Sequence, residues 1–299
     1  MSITNFRTGG AISGAASKVT FQTLQEKKQA QRPICALTAY DYATARLVDE
    51  AGVDLILVGD SLAMVVMGYD TTLPVTMDEM LHHTRAVRRA VKRAIVAADM
   101  PFGSYHGSVN AAVANAVRFV KEAGAEAVKV EGGAVRCELV ERLAGAEIPV
   151  IGHLGLTPQS VHRMGGYKVQ GKTQAAAEEL VRDARMLEAA GAAAIVLEGM
   201  PREVAAQITG ELRIPTIGIG AGPDCDGQIL VFHDLVNLSF SPPAKFVRQY
   251  GDAAALFRSA IAGYVRDVEE RAFPTEAESY HLPSKASPVA AVTAGLRKA

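Results

Sequence analysis

Four residues able to bind a cation or move a proton recur at nearly one interval. Asp60, Glu131, His153 and Glu198 each stand seven or eight residues after an Ala-Gly step, at Gly52, Gly124, Gly145 and Gly191. A short apolar run fills the space between step and polar residue. Asp99 closes another such run, AIVAADM, and Tyr40 with Asp41 closes the first, ICALTAY. Runs as apolar as LILV or AIVL are buried on both faces, so an acid at their C-terminal end sits at the mouth of a barrel or is badly placed. Any one of these acids could equally cap a helix. Three carboxylates from three successive run ends, Asp60, Asp99 and Glu131, repel one another and resist ionisation, a cost that a bound cation removes. An all-oxygen set favours Mg2+ or a similar hard ion over a structural zinc site, which prefers Cys and His.

Lys129 lies two residues before Glu131, so both side chains point to one face of a strand. It is either an ion-pair partner of a neighbouring acid or a cation for a substrate carboxylate or enolate oxygen. Glu198 is the candidate general base, because a partly buried glutamate can have its pKa raised towards neutrality; the other reading makes it a further partner of the metal. His153 can hydrogen-bond a substrate, orient a ligand or be an ordinary core histidine. Ser61 offers a hydroxyl and a backbone N–H to a substrate carboxylate. The run GIGAG at 218–222 lacks the spacing of a phosphate loop and is assigned to close backbone approach. The basic run RAVRRAVKR from Arg85 reads as a solvated helix face.

The elements that must position these groups are eight strand-length apolar runs, beginning at Ile34, Leu55, Ala94, Ala127, Pro149, Ala193, Pro215 and Gln228, alternating with amphipathic segments of helical length. The last link is too short for a normal helix. Glycine just past a helix supplies the left-handed conformation that ends it. A (β/α)8 barrel places its active site at the C-terminal ends of its strands, where the polar residues stand. We read residues 1–16 as a flexible N-terminal extension, 17–273 as one barrel domain and 274–299 as a C-terminal extension rich in Pro, Ser and Ala. A net charge of -1 argues against a nucleic-acid or membrane partner and for a small-molecule substrate. Three widely spaced cysteines fit a reducing, cytoplasmic setting, and no signal or membrane-spanning run is evident.

The segments VGDSLAMVVMGYDTTLPVT, ADMPFGSY, VKVEGG, GHLGLTPQSVHRMGGYKVQG and GIGAGPDCDGQILVFHD together resemble the ketopantoate hydroxymethyltransferase family, over a span from Phe21 to Phe273. The resemblance implies a TIM barrel of the phosphoenolpyruvate/pyruvate type with an N-terminal helix, assembled as a homo-oligomer, a decamer. It implies one Mg2+ per subunit, for which other divalent ions can substitute. The co-substrate would be 5,10-methylenetetrahydrofolate, and the reaction hydroxymethyl transfer to 3-methyl-2-oxobutanoate through a metal-stabilised enolate, on the route to pantothenate and coenzyme A. Carried over by residue, the metal ligands fall on Asp60, Asp99 and Glu131, the substrate contacts on Asp60, Ser61, Asp99 and Lys129, and the proton acceptor on Glu198. Two features depart from the family pattern: Gly199-Met200 stands where a bulkier pair such as Cys-Val is expected, and both termini are longer than in a minimal member. Two other readings remain, a folate-independent barrel lyase acting on a 2-oxo acid and a non-catalytic paralogue that binds one. The second has no need of a proton acceptor.

Overall fold

A computed structural model describes residues 17–282. The expected extension at 1–16, and the part of the C-terminal extension from 283 onward, lie outside the described residues. Eight strands, β1 (Ile34–Thr38), β2 (Leu55–Val58), β3 (Ile95–Asp99), β4 (Ala127–Glu131), β5 (Val150–Gly155), β6 (Ala194–Glu198), β7 (Thr216–Ile219) and β8 (Gly227–Leu230), close into one parallel barrel in sequence order. All eight expected runs become strands. Helices of nine to sixteen residues join β1 to β7 in turn, while β7 runs into β8 without one.

Alternation along each strand decides what enters the barrel. Ile34 and Ala36, Ile95 and Ala97, and Ala194 and Val196 form one buried cluster with Leu24 of the helix Phe21–Gln29. That apolar plug excludes water from the N-terminal half. Two residues further along the same strands, the inward positions become Thr38, Asp99 and Glu198, and on β4 both Lys129 and Glu131. The site residues are therefore the upper inward layers of the barrel.

The Ala-Gly stops behave as expected at Gly52, Gly124 and Gly191, all at positive φ. Gly145 does not. The helix Cys137–Gly145 runs through it, and the left-handed position falls two residues later on Glu147, φ 61°. Asp41 caps the helix Tyr42–Glu50, accepting from the Thr44 amide at 2.9 Å. Arg85 and Arg89 of the basic run are exposed.

Contacts divide the chain after Gly251 into a barrel unit and a C-terminal unit. The division falls inside the 17–273 span read as one domain, so the helix Ala253–Glu269 counts with the second unit. By itself that helix carries an exposed apolar row, Phe257, Ile261, Tyr264, Val265 and Val268. Among the described residues no helix is long and apolar enough to cross a membrane.

Candidate active site

Strand register brings the polar residues together in pairs. Asp99 lies opposite Lys129 across β3 and β4, with Nζ 2.8 Å from Oδ1. Glu131 lies opposite His153 across β4 and β5, with Nδ1 3.4 Å from Oε1. Lys129 Nζ is also 3.2 Å from His153 Nδ1 and 3.8 Å from Glu131 Oε1. His153 Nε2 lies 3.1 Å from Glu198 Oε2 at the end of β6. His153 is thus not at a strand end, as its spacing suggested, but within β5, where it links two acids.

Asp60 reaches the group differently. It sits two residues past β2, where its backbone N–H donates to Asp99 Oδ2 at 3.0 Å. Its carboxylate accepts from Gln159 Nε2 at 2.8 Å. Gln159 also donates its backbone N–H to Glu131 Oε2 at 3.0 Å and accepts from the Tyr105 hydroxyl at 2.6 Å. Ser61 Oγ is held 2.8 Å from the Tyr40 hydroxyl. Gln159 and Tyr105 were not foreseen. Both lie beyond the strands, Gln159 in a single 3-10 turn, Pro158–Ser160, where the strand-end interval no longer applies, although the segments ADMPFGSY and GHLGLTPQSVHRMGGYKVQG contain them.

These distances set the charges. Burial, then the Asp99 and Glu131 charges, raise the Asp60 carboxyl well above its ordinary range. Glu131 moves the other way: burial would raise it, but His153 and Lys129 hold it below its usual value. Lys129 is stripped of water, yet the charges of Asp99, Glu131 and Asp60 keep its ammonium far more firmly protonated than usual. Burial and the Lys129 charge oppose a protonated His153, but hydrogen bonds to Glu131 and Glu198 push it up to about 9. The result is an excess of buried negative charge that only one lysine and one histidine offset.

That excess fits a hard cation. Asp60, Asp99 and Glu131 present oxygen donors, and among the described residues the buried Asp99 Oδ1 and Glu131 Oε1 face only the ion-pair partners Lys129 and His153. Among the described residues no three His, Cys, Asp or Glu side chains converge closely enough to enclose an ion as they lie. Lys129 stands against Asp99 in that space.

Above the polar layer opens a cavity of about 920 Å³, with Met64, Tyr167 and Phe246 on its walls. The backbone approach expected of GIGAG is to one of these walls: a Cβ on Gly220 would lie 2.6 Å from the Phe246 ring. Behind Glu198, Met200 is buried, its methyl packed where a Cβ on Gly155 would come within 2.8 Å. The unusual Gly199-Met200 pair therefore fills the space behind β5 and β6.

A family model described as ketopantoate hydroxymethyltransferase matches residues 18–276. The chain is 65% identical to a 3-methyl-2-oxobutanoate hydroxymethyltransferase of Koribacter versatilis, over 90% of this chain and 92% of that one. It is 52% identical to one of a Thermoanaerobacter species, over 90% and 98%. Among solved structures, phosphonopyruvate hydrolase superposes with a TM-score of 0.56 at 18% identity, over 93% of this chain and 96% of that one. A 2,3-dimethylmalate lyase of the PEP mutase/isocitrate lyase superfamily gives 0.55 at 19%, over 92% and 94%. Both share with this chain the closed eight-stranded barrel.

Proposed function

The chain belongs to the ketopantoate hydroxymethyltransferase family, and from that premise we propose that it hydroxymethylates 3-methyl-2-oxobutanoate with 5,10-methylenetetrahydrofolate as donor. The product would be 2-dehydropantoate, on the route to pantothenate and coenzyme A. The observation that carries this reading is the inward polar layer, where acids, a lysine and a candidate base meet beneath a cavity open to a larger co-substrate.

Asp60, Asp99 and Glu131 would hold one Mg2+ per subunit, which when bound supplies Lewis acidity to the carbonyl of a 2-oxo acid. The Lys129 ammonium is placed to receive the substrate carboxylate or the oxygen that gains charge on enolisation. Ser61, with its hydroxyl fixed by Tyr40, contributes a second contact to the carboxylate. Glu198, at 15% side-chain exposure the most accessible acid of the group, takes the proton from C3. His153 lies between Glu131 and Glu198 and, when protonated, holds Glu131 below its ordinary pKa and donates to the Glu198 carboxylate. The C3 carbanion forms the new C–C bond to the one-carbon unit; one water cleaves that unit's two C–N bonds, its oxygen becoming the product hydroxyl, and the C3 proton together with one proton of the water ends on the two nitrogens of the tetrahydrofolate released.

Family membership and the exposed apolar row on the helix Ala253–Glu269 support a homo-oligomer, which we read as a decamer. Three free cysteines support residence in the cytoplasm. The test is incubation with 3-methyl-2-oxobutanoate, methylenetetrahydrofolate and Mg2+, followed by product identification. We expect 2-dehydropantoate and tetrahydrofolate in equal amounts. Cleavage of the oxo acid, or product without folate consumption, would favour a barrel lyase.

A further inference from the structure

The cavity is far larger than a small branched oxo acid requires, and clefts of its size, roughly 300–1,000 Å³, hold drug-sized ligands. Its lining joins the polar layer to a second set of residues with different chemistry, Met64, Tyr167 and Phe246 among them. Met64 and Tyr167 meet across the mouth, the Tyr167 hydroxyl 3.7 Å from Met64 Sδ. Facing the same space, the Phe246 ring lies on the bare backbone of Gly220, at φ 62°. Both aromatic rings are substantially exposed, at 47% for Tyr167 and 39% for Phe246, although they line a cavity. Flat conjugated ligands stack on such rings.

Two polar groups lining this cavity are not used by the inner site. Thr72 is 2% exposed, and its hydroxyl has no hydrogen-bond partner. A buried unpaired hydroxyl in a cavity wall points to a ligand or water that completes it. Asp234, in the short helix Phe232–Leu235 that follows β8, is partly buried and lines the cavity. No hydrogen bond or ion pair to its carboxylate is formed by the described residues. Lys245 lies on the rim.

We propose that this second set of residues binds the one-carbon donor, with Phe246 and Tyr167 against the faces of its reduced pterin, Asp234 accepting from its amino-amide edge, and Lys245 near its anionic tail. The assignment rests on the folate-donor reading above. A pterin presents adjacent N–H donors that a carboxylate receives in pairs, as it does a guanidinium. Apolar walls and one acid suit it better than they suit a second anion.

The experiment compares the full-length parent enzyme with Asp234→Asn and Phe246→Ala. It uses steady-state kinetics in both substrates and calorimetric titration with tetrahydrofolate. Loss of a charge-assisted hydrogen bond or of a stacking ring should raise the donor KM and the tetrahydrofolate Kd by about tenfold or more. The KM for the oxo acid should stay within about twofold, since the inner layer is untouched. Unchanged donor KM in both variants, or equal weakening of both substrates, overturns this assignment while leaving the folate reading in place. If the parent makes product equally well from formaldehyde alone and binds no tetrahydrofolate, the donor reading fails and the assignment falls with it.

Discussion

Asp99 and Lys129 face each other directly across β3 and β4, their charged atoms 2.8 Å apart. Both are nearly devoid of solvent, and Asp60 and Glu131 add two further acids around the same ammonium. Such a lysine does two things: it offsets the crowding of the acids and leaves a cation at the cavity floor. Lys129→Met keeps the length of the side chain but leaves buried carboxylates unpaired, which should cost about 3–5 kcal/mol of stability. It should also raise the KM for the oxo acid. Denaturant unfolding together with substrate kinetics checks both effects, and a fully stable variant with unaltered KM would deny Lys129 either role.

Asp60→Asn, Asp99→Asn and Glu131→Gln should each weaken Mg2+ binding by several kcal/mol, because each removes an anionic oxygen donor. Calorimetry with the metal alone reads this without turnover. Unchanged affinity in all three variants would remove the proposed site.

Much of this layer was legible because strand alternation and register are simple rules. Lys129 and Glu131 share a face by spacing alone, and the acids stand where apolar runs end. Gly145 does not supply the stop, because the left-handed residue after the helix Cys137–Gly145 is Glu147, a non-glycine that no composition rule singles out. His153 lies within its strand because β5 is the longest of the eight, extending two residues beyond it. Tyr40 was seen only as the end of the first run. That its hydroxyl holds Ser61 depends on how β1 and β2 lie side by side, which no local pattern encodes.

Gln159 is the clearest case of a contact hidden from sequence, and it yields its own prediction. Its amide and backbone link Asp60, Glu131 and Tyr105. Gln159→Leu has similar bulk but no donor for Asp60. Losing a partner that orients a metal ligand should lower Mg2+ affinity about 10- to 100-fold. Titration with Mg2+ or Mn2+ checks it, and an affinity within twofold of the parent would leave Gln159 a merely structural residue.

At the opposite end of the barrel, Asp54 predicts a pH dependence of stability. Burial would raise its carboxyl, but hydrogen bonds from Lys27, the Cys35 amide and Arg93 hold it below its ordinary 3.8. A carboxyl whose folded-state pKa is depressed stabilises the fold above its unfolded pKa and loses that contribution as pH falls through the folded value. Asp54→Asn should therefore be less stable than the parent at neutral pH, by about 3–5 kcal/mol for a broken buried pair. The gap should narrow only below the ordinary value of 3.8. Urea unfolding at a series of pH values measures it, and a constant gap down to strongly acid pH would contradict the ion-pair account.

Glu198 separates catalysis from binding. Its carboxylate stands at the end of β6, 3.1 Å from His153 Nε2 and lining the cavity. If it accepts the C3 proton, enolisation requires no donor. The enzyme with Mg2+ alone should then exchange the C3 hydrogen of 3-methyl-2-oxobutanoate with deuterated solvent. Glu198→Gln preserves the shape but cannot take the proton, and loss of a general base costs about 10² to 10⁴ in rate. Binding of oxo acid and metal should survive, because neither depends on that transfer. An NMR time course should show rapid exchange with the parent and little with the variant, at similar substrate affinity. Equal exchange would move the role to His153, whose ring faces the same cavity. His153→Gln would then abolish exchange, whereas if Glu198 is the base it should only slow it, by removing the group that donates to the Glu198 carboxylate.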